Sequence, residues 1–462
     1  MARARWTMVA ALVAVIAAAG AMTPVSAGNS PSAIDCVGPA GNPQPGTQAW
    51  QQRDLANQYC ATERLQDELA NPAFGAVFSS QTPGMYAGQN LAMLQQPTHP
   101  HLTLAQFIPG GTTADPFRTM SRWTDAGRGR VQAISFPAKD GAQLNGYVFE
   151  PPASVPGPYP GVVITTGSIQ GYQQMYFWAA EGLAEAGYMV LTYDVQGQGN
   201  SDTFPASCTP SDCPGVPFQQ SYNFFQGTVD ALGFFFSDAN PARADLDADH
   251  VGIAGHSLGA SAVSQVGQDD ARVKAIVAWD NLAPVTDGTA VHAPALGINS
   301  EYFFNPTSTN TPPDPHSKDA AFTQLSGAGV DTMQIALRSS THLEYSYVPY
   351  ILPASSLGER VAFYYTLAWF DYYLRGSSAA FDRLVATAFD GSADASAIGG
   401  GSYDPAAAAA APTDPAAGNV PHVIAGLPVA DRLSIYYESE YSLTSPGAHH
   451  TACADMRAGC TP

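Results

Sequence analysis

Gly255-His256-Ser257-Leu258-Gly259 sets a serine between two glycines, where an apolar run, Val251 to Ala254, meets a segment with helical patterning. That is the G-x-S-x-G of a nucleophile elbow. The turn is so tight that both flanking positions must be small. It forces the serine into strained backbone geometry that lifts its hydroxyl above the sheet edge. At the start of the following helix, the helix dipole favours an oxyanion developing beside that serine. In a chain with 43 glycines the pentapeptide alone is a weak signal, and the strand before and helix after it carry the reading. The competing reading is a glycine-rich strand-to-helix turn with a structural serine.

A serine hydroxyl becomes a nucleophile only beside a general base, and an acid must orient that base. His256 lies inside the elbow and is expected to point away from the serine face, packed or exposed. Downstream lie His292, His316, His342, His422, His449 and His450. The candidate acids are Asp280, ending VKAIVAWD; Glu301, after PALGIN in INSEYFF; and Asp314, further into that loop. Each could instead be a surface imidazole or a solvated carboxylate. Other chemistries lack their residues. Gly197 to Asn200 lacks the strand–helix context and basic residue of a phosphate loop, and no H-E-x-x-H occurs. The cysteines form no CxxC pair in His-rich loops, so neither a metal nor a cofactor is expected.

These residues need elements to position them. RVQAISFPA and AQLNGYVFEPP, joined at Asp140-Gly141, read as a hairpin. Tyr159 to Thr166 is a continuous apolar run, as in a strand buried on both faces. Then helix and strand patterns alternate: QMYFWAAEGLAEAG, YMVLTYD, residues 217–238, DHVGIAG, SLGASAVSQV, VKAIVAWD, PALGIN, SKDAAFTQLSGAG with Ser317 at its N-cap, VDTMQIAL and ERVAFYYTLAWFDYYLRG. Such alternation implies a mostly parallel central sheet with helices on both faces. Upstream, residues 28–127 are rich in Pro, Gly and Gln with a helix from Trp50 to Leu69, an N-terminal wrap around a domain at 128–387. Residues 388–420 read as a low-complexity linker, and 421–462 as a small C-terminal extension with one strand in RLSIYYESEYSLT.

The 462 residues carry a formal charge of −20, a field that repels phosphate backbones and excludes nucleic acid as an expected partner. Charged residues are only 13%, which excludes coiled coil and charge-driven disorder over most of the chain. Arg3 and Arg5, the apolar run Val9 to Ala19 and the small residues Val25-Ser26-Ala27 read as a secretory signal over 1–27. The run is shorter than the ~20 residues a spanning helix needs, so no stable membrane span is expected. Six cysteines in an exported chain suggest disulfides, most simply Cys36–Cys60, Cys208–Cys213 and Cys453–Cys460.

Over residues 128–376 the chain resembles the α/β-hydrolase superfamily. Besides the elbow, Asp194-Val195-Gln196-Gly197-Gln198-Gly199-Asn200-Ser201 is similar to the family's D-x-R-G-x-G-x-S loop, with Gln196 in place of Arg. Ile164-Thr165-Thr166-Gly167-Ser168 matches the strand–His–Gly oxyanion loop, with Thr166 in place of His. The resemblance implies the α/β-hydrolase fold, His342 as base because it follows the last core strand, and the N–H groups of Leu258 and Ser168 as oxyanion donors. The commoner family position for the acid favours Glu301 or Asp314. VAWDNLAP and LGINSEYF, however, look like the platelet-activating-factor acetylhydrolase branch and its secreted relatives, which implies Asp280. The expected activity is that of a secreted serine esterase acting on a small-molecule or lipid ester. A peptidase on the same fold and an idle binding protein are the alternatives. Tyr172, Tyr176, Phe177 and Trp178, with the insertion at 202–226, either wall an apolar acyl pocket or simply pack a helix.

Overall fold

The computed structural model of the protein describes residues 46–72, 120–168, 172–205, 207–209, 220–303, 316–346, 356–394, 401–414, 417–445, 447 and 450–460. Asp314, His449, Cys36, Cys213, the leader at 1–27 and residues 206 and 210–219 of the 202–226 insertion lie outside these residues.

In chain order the elements are α1 (Gln48–Leu69), α2 (Met120–Asp125), β1 (Arg130–Pro137), β2 (Gln143–Glu150), β3 (Tyr159–Thr165), α3 (Phe177–Glu185), β4 (Met189–Tyr193), α4 (Ser221–Phe236), β5 (Leu246–His256), α5 (Leu258–Asp269), β6 (Val273–Trp279), β7 (Ala295–Tyr302), α6 (Ala320–Gly327), β8 (Thr332–Thr341), α7 (Ser356–Arg375), α8 (Ser378–Val385), β9 (Gly401–Tyr403), α9 (Pro405–Ala410), β10 (Asn419–Pro421), β11 (Glu440–Thr444) and β12 (His450–Cys453). Among the described residues ten strands form one sheet in the order β1-β2-β4-β3-β5-β6-β7-β8-β11-β12. The six strands from β4 to β8 run parallel, while β1, β2, β11 and β12 pair antiparallel at the two edges.

The apolar runs explain the layering. Every residue of β4, β7 and β8 is buried, as parallel strands covered on both faces require. On one face Phe177, Leu183, Tyr364, Trp369 and Phe370 of α3 and α7 pack with Val190, Val277 and Ile335 of the sheet. On the other, Phe224, Leu232, Val263, Val266 and Leu325 of α4, α5 and α6 pack with Val163, Leu191, Ile253 and Ile276. The fold is therefore a three-layer α/β sandwich whose parallel strands all end on one edge.

Three expectations need correction. The helix after His316 begins at Ala320 with Asp319, not Ser317, at its N-cap. The 388–420 segment is not a plain linker: β9 pairs with β10, and Asp404 caps α9 by accepting from the N–H groups of Ala406 and Ala407. The C-terminal extension does not stand apart from the 128–387 domain, because β11 adds to β8 and brings β12 with it, extending the central sheet by two strands rather than one. Polar–apolar alternation in EYSLT suits a strand with one covered face and gives no hint of its partner.

The N-terminal helix is held by polar contacts with a charged core. Arg338 Nε donates to Asn57 Oδ1 (2.7 Å), Arg64 donates to the Arg338 carbonyl (3.3 Å), and Tyr302 donates to Asp54 (3.0 Å). Cys453–Cys460 is a disulfide, and Cys60 and Cys208 are each disulfide-bonded. Among the described residues no helix is long and apolar enough to cross a membrane.

Candidate active site

Ser257, Asp280 and His342 leave the C-terminal ends of β5, β6 and β8, which parallel pairing brings to the same sheet edge. At the elbow Ser257 has φ 57° and ψ −118°, a left-handed conformation that only a tightly determined turn imposes on a non-glycine residue. Both glycines are sterically obligatory. A Cβ on Gly255 would lie 2.5 Å from the Gly259 carbonyl oxygen, and one on Gly259 would lie 2.4 Å from the carbonyl oxygens of Thr165 and Thr166. The Ser257 N–H donates to the Trp279 carbonyl (3.1 Å), fixing the elbow to the neighbouring strand.

His342 Nε2 lies 2.9 Å from Ser257 Oγ, and His342 Nδ1 lies 2.7 Å from Asp280 Oδ2. The carboxylate accepts twice more from Ser300, from Oγ–H at 2.6 Å and from N–H at 3.1 Å. Lys318 Nζ stands 3.5 Å from Asp280 Oδ1 and donates to the Ser300 carbonyl. Burial alone pushes the Asp280 carboxyl up, but the Lys318 ammonium, His342 and the Ser300 hydroxyl outweigh it and hold it well below the usual carboxylate range. Asp280 is therefore an anion throughout the neutral range. The His342 N–H donates to the carbonyls of Tyr302 (3.0 Å) and Phe303 (2.8 Å), and the Phe303 ring lies 4.8 Å from its imidazole.

Glu301 is elsewhere. Its buried carboxylate accepts from Ser339 N–H (2.7 Å), Asn57 Nδ2 (3.0 Å) and Ile435 N–H (3.1 Å), so it ties α1 and the C-terminal segment to β8. Burial pushes its carboxyl up. His292 Nε2–H donates to the Val273 carbonyl (3.2 Å), His422 reaches Glu68 (3.3 Å) and His450 pairs with Ser442 (2.8 Å), all away from the serine. His316 is paired with Asp319 (2.7 Å), and with Glu438 it brings three metal-type ligand atoms within 4.8 Å of one another; much of its side chain is exposed.

On the opposite side of the elbow, the loop at 166–168 follows β3. The Gly167 N–H donates to the Tyr176 hydroxyl (2.9 Å), and the Gly167 carbonyl accepts from Gln198 Nε2 (3.0 Å). These bonds fix Gly167, the residue before Ser168, next to the elbow, where a Cβ on Gly167 would lie 2.8 Å from His256 Nδ1. Gln196 bonds Asp140 (3.0 Å) and the Thr203 carbonyl (3.4 Å), so a neutral amide serves where the family pattern has a guanidinium. Tyr172, Tyr176, Phe177 and Trp178 are buried in the core cluster on the α3 face of the sheet, as helix packing requires. His256 is also buried rather than exposed. Its Nδ1 meets the Tyr176 hydroxyl (2.9 Å) and its Nε2 meets the His342 carbonyl (2.7 Å).

Sequence reasoning missed Ser300 and Lys318 as neighbours of the site, and it missed the hydrogen bonds that join Tyr176 and His256. Lys318 carried a faint signal as one of only three lysines; the others are common residue types in ordinary segments.

No protein-family model matches the chain. The chain is 30% identical over 186 residues to Hydrolase LUC6 of Fusarium sp, a match covering 38% of this chain and 41% of that protein. It is 28% identical over 171 residues to 20-hydroxy-prefusarin hydrolase FUS2 of Gibberella moniliformis, covering 37% and 38% respectively. Alpha/beta hydrolase xenA of Xenoacremonium sinensis is 35% identical over 80 residues, 17% of this chain. The chain thus spans about two fifths of the length of the first two relatives. With its ten-stranded, largely parallel sheet flanked by helices, the chain has the α/β-hydrolase fold and is similar to hydrolases.

Proposed function

We propose that the protein is a serine hydrolase that cleaves carboxylic esters through an acyl-enzyme. The observation that carries this reading is the unbroken chain from Ser257 Oγ through His342 to Asp280, at 2.9 and 2.7 Å. His342 Nε2 takes the Ser257 proton as Oγ attacks the ester carbonyl. The carbonyl π pair moves onto oxygen, toward the N–H groups of Leu258 and Ser168. His342 then delivers the proton to the departing alcohol oxygen as the C–O bond breaks. Water repeats the sequence on the acyl-enzyme, releasing the acid and restoring Ser257. Asp280 fixes the tautomer with the proton on Nδ1 and stabilises the imidazolium.

An apolar ester is favoured by Phe303, whose ring is 60% exposed beside His342 and offers a contact for a hydrophobic substituent. The acid at the end of β6 supports the resemblance to the platelet-activating-factor acetylhydrolase branch. Export is supported by the disulfide-bonded state of Cys60, Cys208, Cys453 and Cys460, which suits an oxidising compartment. The test is a series of p-nitrophenyl esters of rising acyl length beside a peptide p-nitroanilide. Ester turnover with no amide turnover is the expected result. Amide cleavage without ester cleavage, or neither, contradicts the proposal.

A further inference from the structure

His256 occupies the variable position of the elbow, and nothing in the triad chemistry requires a histidine there. The ring is buried, and each nitrogen has one polar partner. The His342 carbonyl can only accept, so Nε2 must carry the proton. Nδ1 is then an acceptor and must receive the Tyr176 O–H. The Tyr176 oxygen in turn accepts from the Gly167 N–H, which can only donate. One proton arrangement satisfies all three bonds, and it runs in one direction: Gly167 N–H to Tyr176, Tyr176 O–H to His256, His256 N–H to the His342 carbonyl. Burial, reinforced by His342, pushes the His256 imidazole down to about 3, so it stays neutral and the arrangement persists. Burial likewise pushes the Tyr176 hydroxyl up and keeps it protonated. Packing holds the same geometry: the His256 and His342 rings lie 4.7 Å apart, and Tyr176 stacks on Trp279 at 8°.

We infer that His256 and Tyr176 are positioning residues that couple the oxyanion loop at Gly167–Ser168 to the base-bearing loop at His342 across the nucleophile elbow. The chain ties two loops from different strands, after β3 and after β8, to the residue directly before Ser257. It therefore fixes the Gly167 end of one loop and the His342 end of the other relative to the same residue, His256. Neither side chain touches the reacting atoms, and the inference rests on the triad proposed above. An elbow histidine that merely filled space would need only volume, whereas this one needs a donor and an acceptor on one rigid ring.

The experiment compares wild type, Ser257→Ala, Tyr176→Phe, His256→Leu, His256→Gln and the Tyr176→Phe/His256→Leu double variant on one p-nitrophenyl ester, with melting temperatures alongside. Tyr176→Phe and His256→Leu should each lower kcat by ~10–100-fold with KM within about twofold, since mispositioning acts on the transition state and not on ground-state binding. The double variant should be no worse than the poorer single one, because one chain is broken once. His256→Gln, whose amide offers a donor and an acceptor at similar spacing, should recover at least about tenfold of the His256→Leu loss. Should a variant fail to fold, the wild-type nitrogen-15 spectrum still decides, with His256 protonated at Nε2 alone down to pH 5. An Nδ1–H tautomer, wild-type kcat in folded Tyr176→Phe and His256→Leu, or no advantage of Gln over Leu would overturn the coupling. Activity surviving in Ser257→Ala would instead overturn the triad itself.

Discussion

Replacing Asp280 by asparagine should inactivate the protein while leaving its fold intact, and the surroundings dictate how. An amide has one acceptor and one donor end, so its orientation matters. On the Oδ1 side stand the Ser300 N–H at 3.1 Å and the Lys318 ammonium at 3.5 Å, both of which can only donate. The amide oxygen must turn toward them. The NH2 end then faces His342 Nδ1, where Oδ2 now accepts at 2.7 Å, and the Ser300 hydroxyl, which can swing its proton to the Tyr302 carbonyl at 3.0 Å. Every group is satisfied only if His342 Nδ1 becomes an acceptor and its proton moves to Nε2. That nitrogen then presents N–H to Ser257 and cannot take the serine proton. The wrong tautomer costs ~10⁴ in turnover in serine hydrolases of known mechanism, or about 5.4 kcal/mol of barrier. The assay is kcat on a p-nitrophenyl ester at pH 8 with the melting temperature as control. A folded Asp280→Asn protein retaining more than about a tenth of wild-type kcat would refute this reasoning.

Other perturbations separate structure from chemistry. Glu301→Gln puts an NH2 among the donors Ser339 N–H, Asn57 and Ile435 N–H, so it should lose about 2–4 kcal/mol of stability in denaturant titration while kcat stays within a fewfold of wild type. Gly259→Ala would drive a methyl group to 2.4 Å from the Thr165 and Thr166 carbonyls, so it should abolish esterase activity and lower soluble yield or melting temperature. Asp194 is pushed up to about 6 from 3.8 by burial, partly offset by the N–H groups of Asn200 and Gln173. The folded state therefore binds its proton more tightly than the unfolded chain. The stability this group gives is fully present below about pH 4 and is lost as pH rises through 6. The unfolding free energy of Asp194→Asn relative to wild type should rise by up to about 3 kcal/mol between pH 4 and 7, and a flat or falling difference would contradict the sign.

The parts legible in the sequence are those with local signatures. The elbow announced itself because its two glycines and serine are fixed by one turn, and the parallel core because strands buried on both faces are apolar throughout. His342 and Asp280 were reachable only through the order of strands, which the family resemblance supplied. What stayed hidden is long-range. Glu301 and Asp280 both end buried strands, and only the positions of Asn57, Ser339 and Ile435 show that Glu301 holds the chain ends together. His256 carries no sequence mark of its partners, since Tyr176 and the His342 carbonyl reach it across separations of 80 and 86 residues. The pairing of β11 with β8 is equally non-local, which is why the sequence shows a strand in a small C-terminal extension but not the sheet it joins.

The proposed activation of Ser257 as a nucleophile by His342 is the step on which ester cleavage depends. It is tested most directly by reacting the folded protein with a fluorophosphonate and locating the adduct by peptide mass spectrometry. One adduct per chain is expected, on Ser257, formed in step with loss of ester hydrolysis and absent from Ser257→Ala. An intact Ser257 in fully inactivated protein, or undiminished labelling of Ser257→Ala, would contradict it.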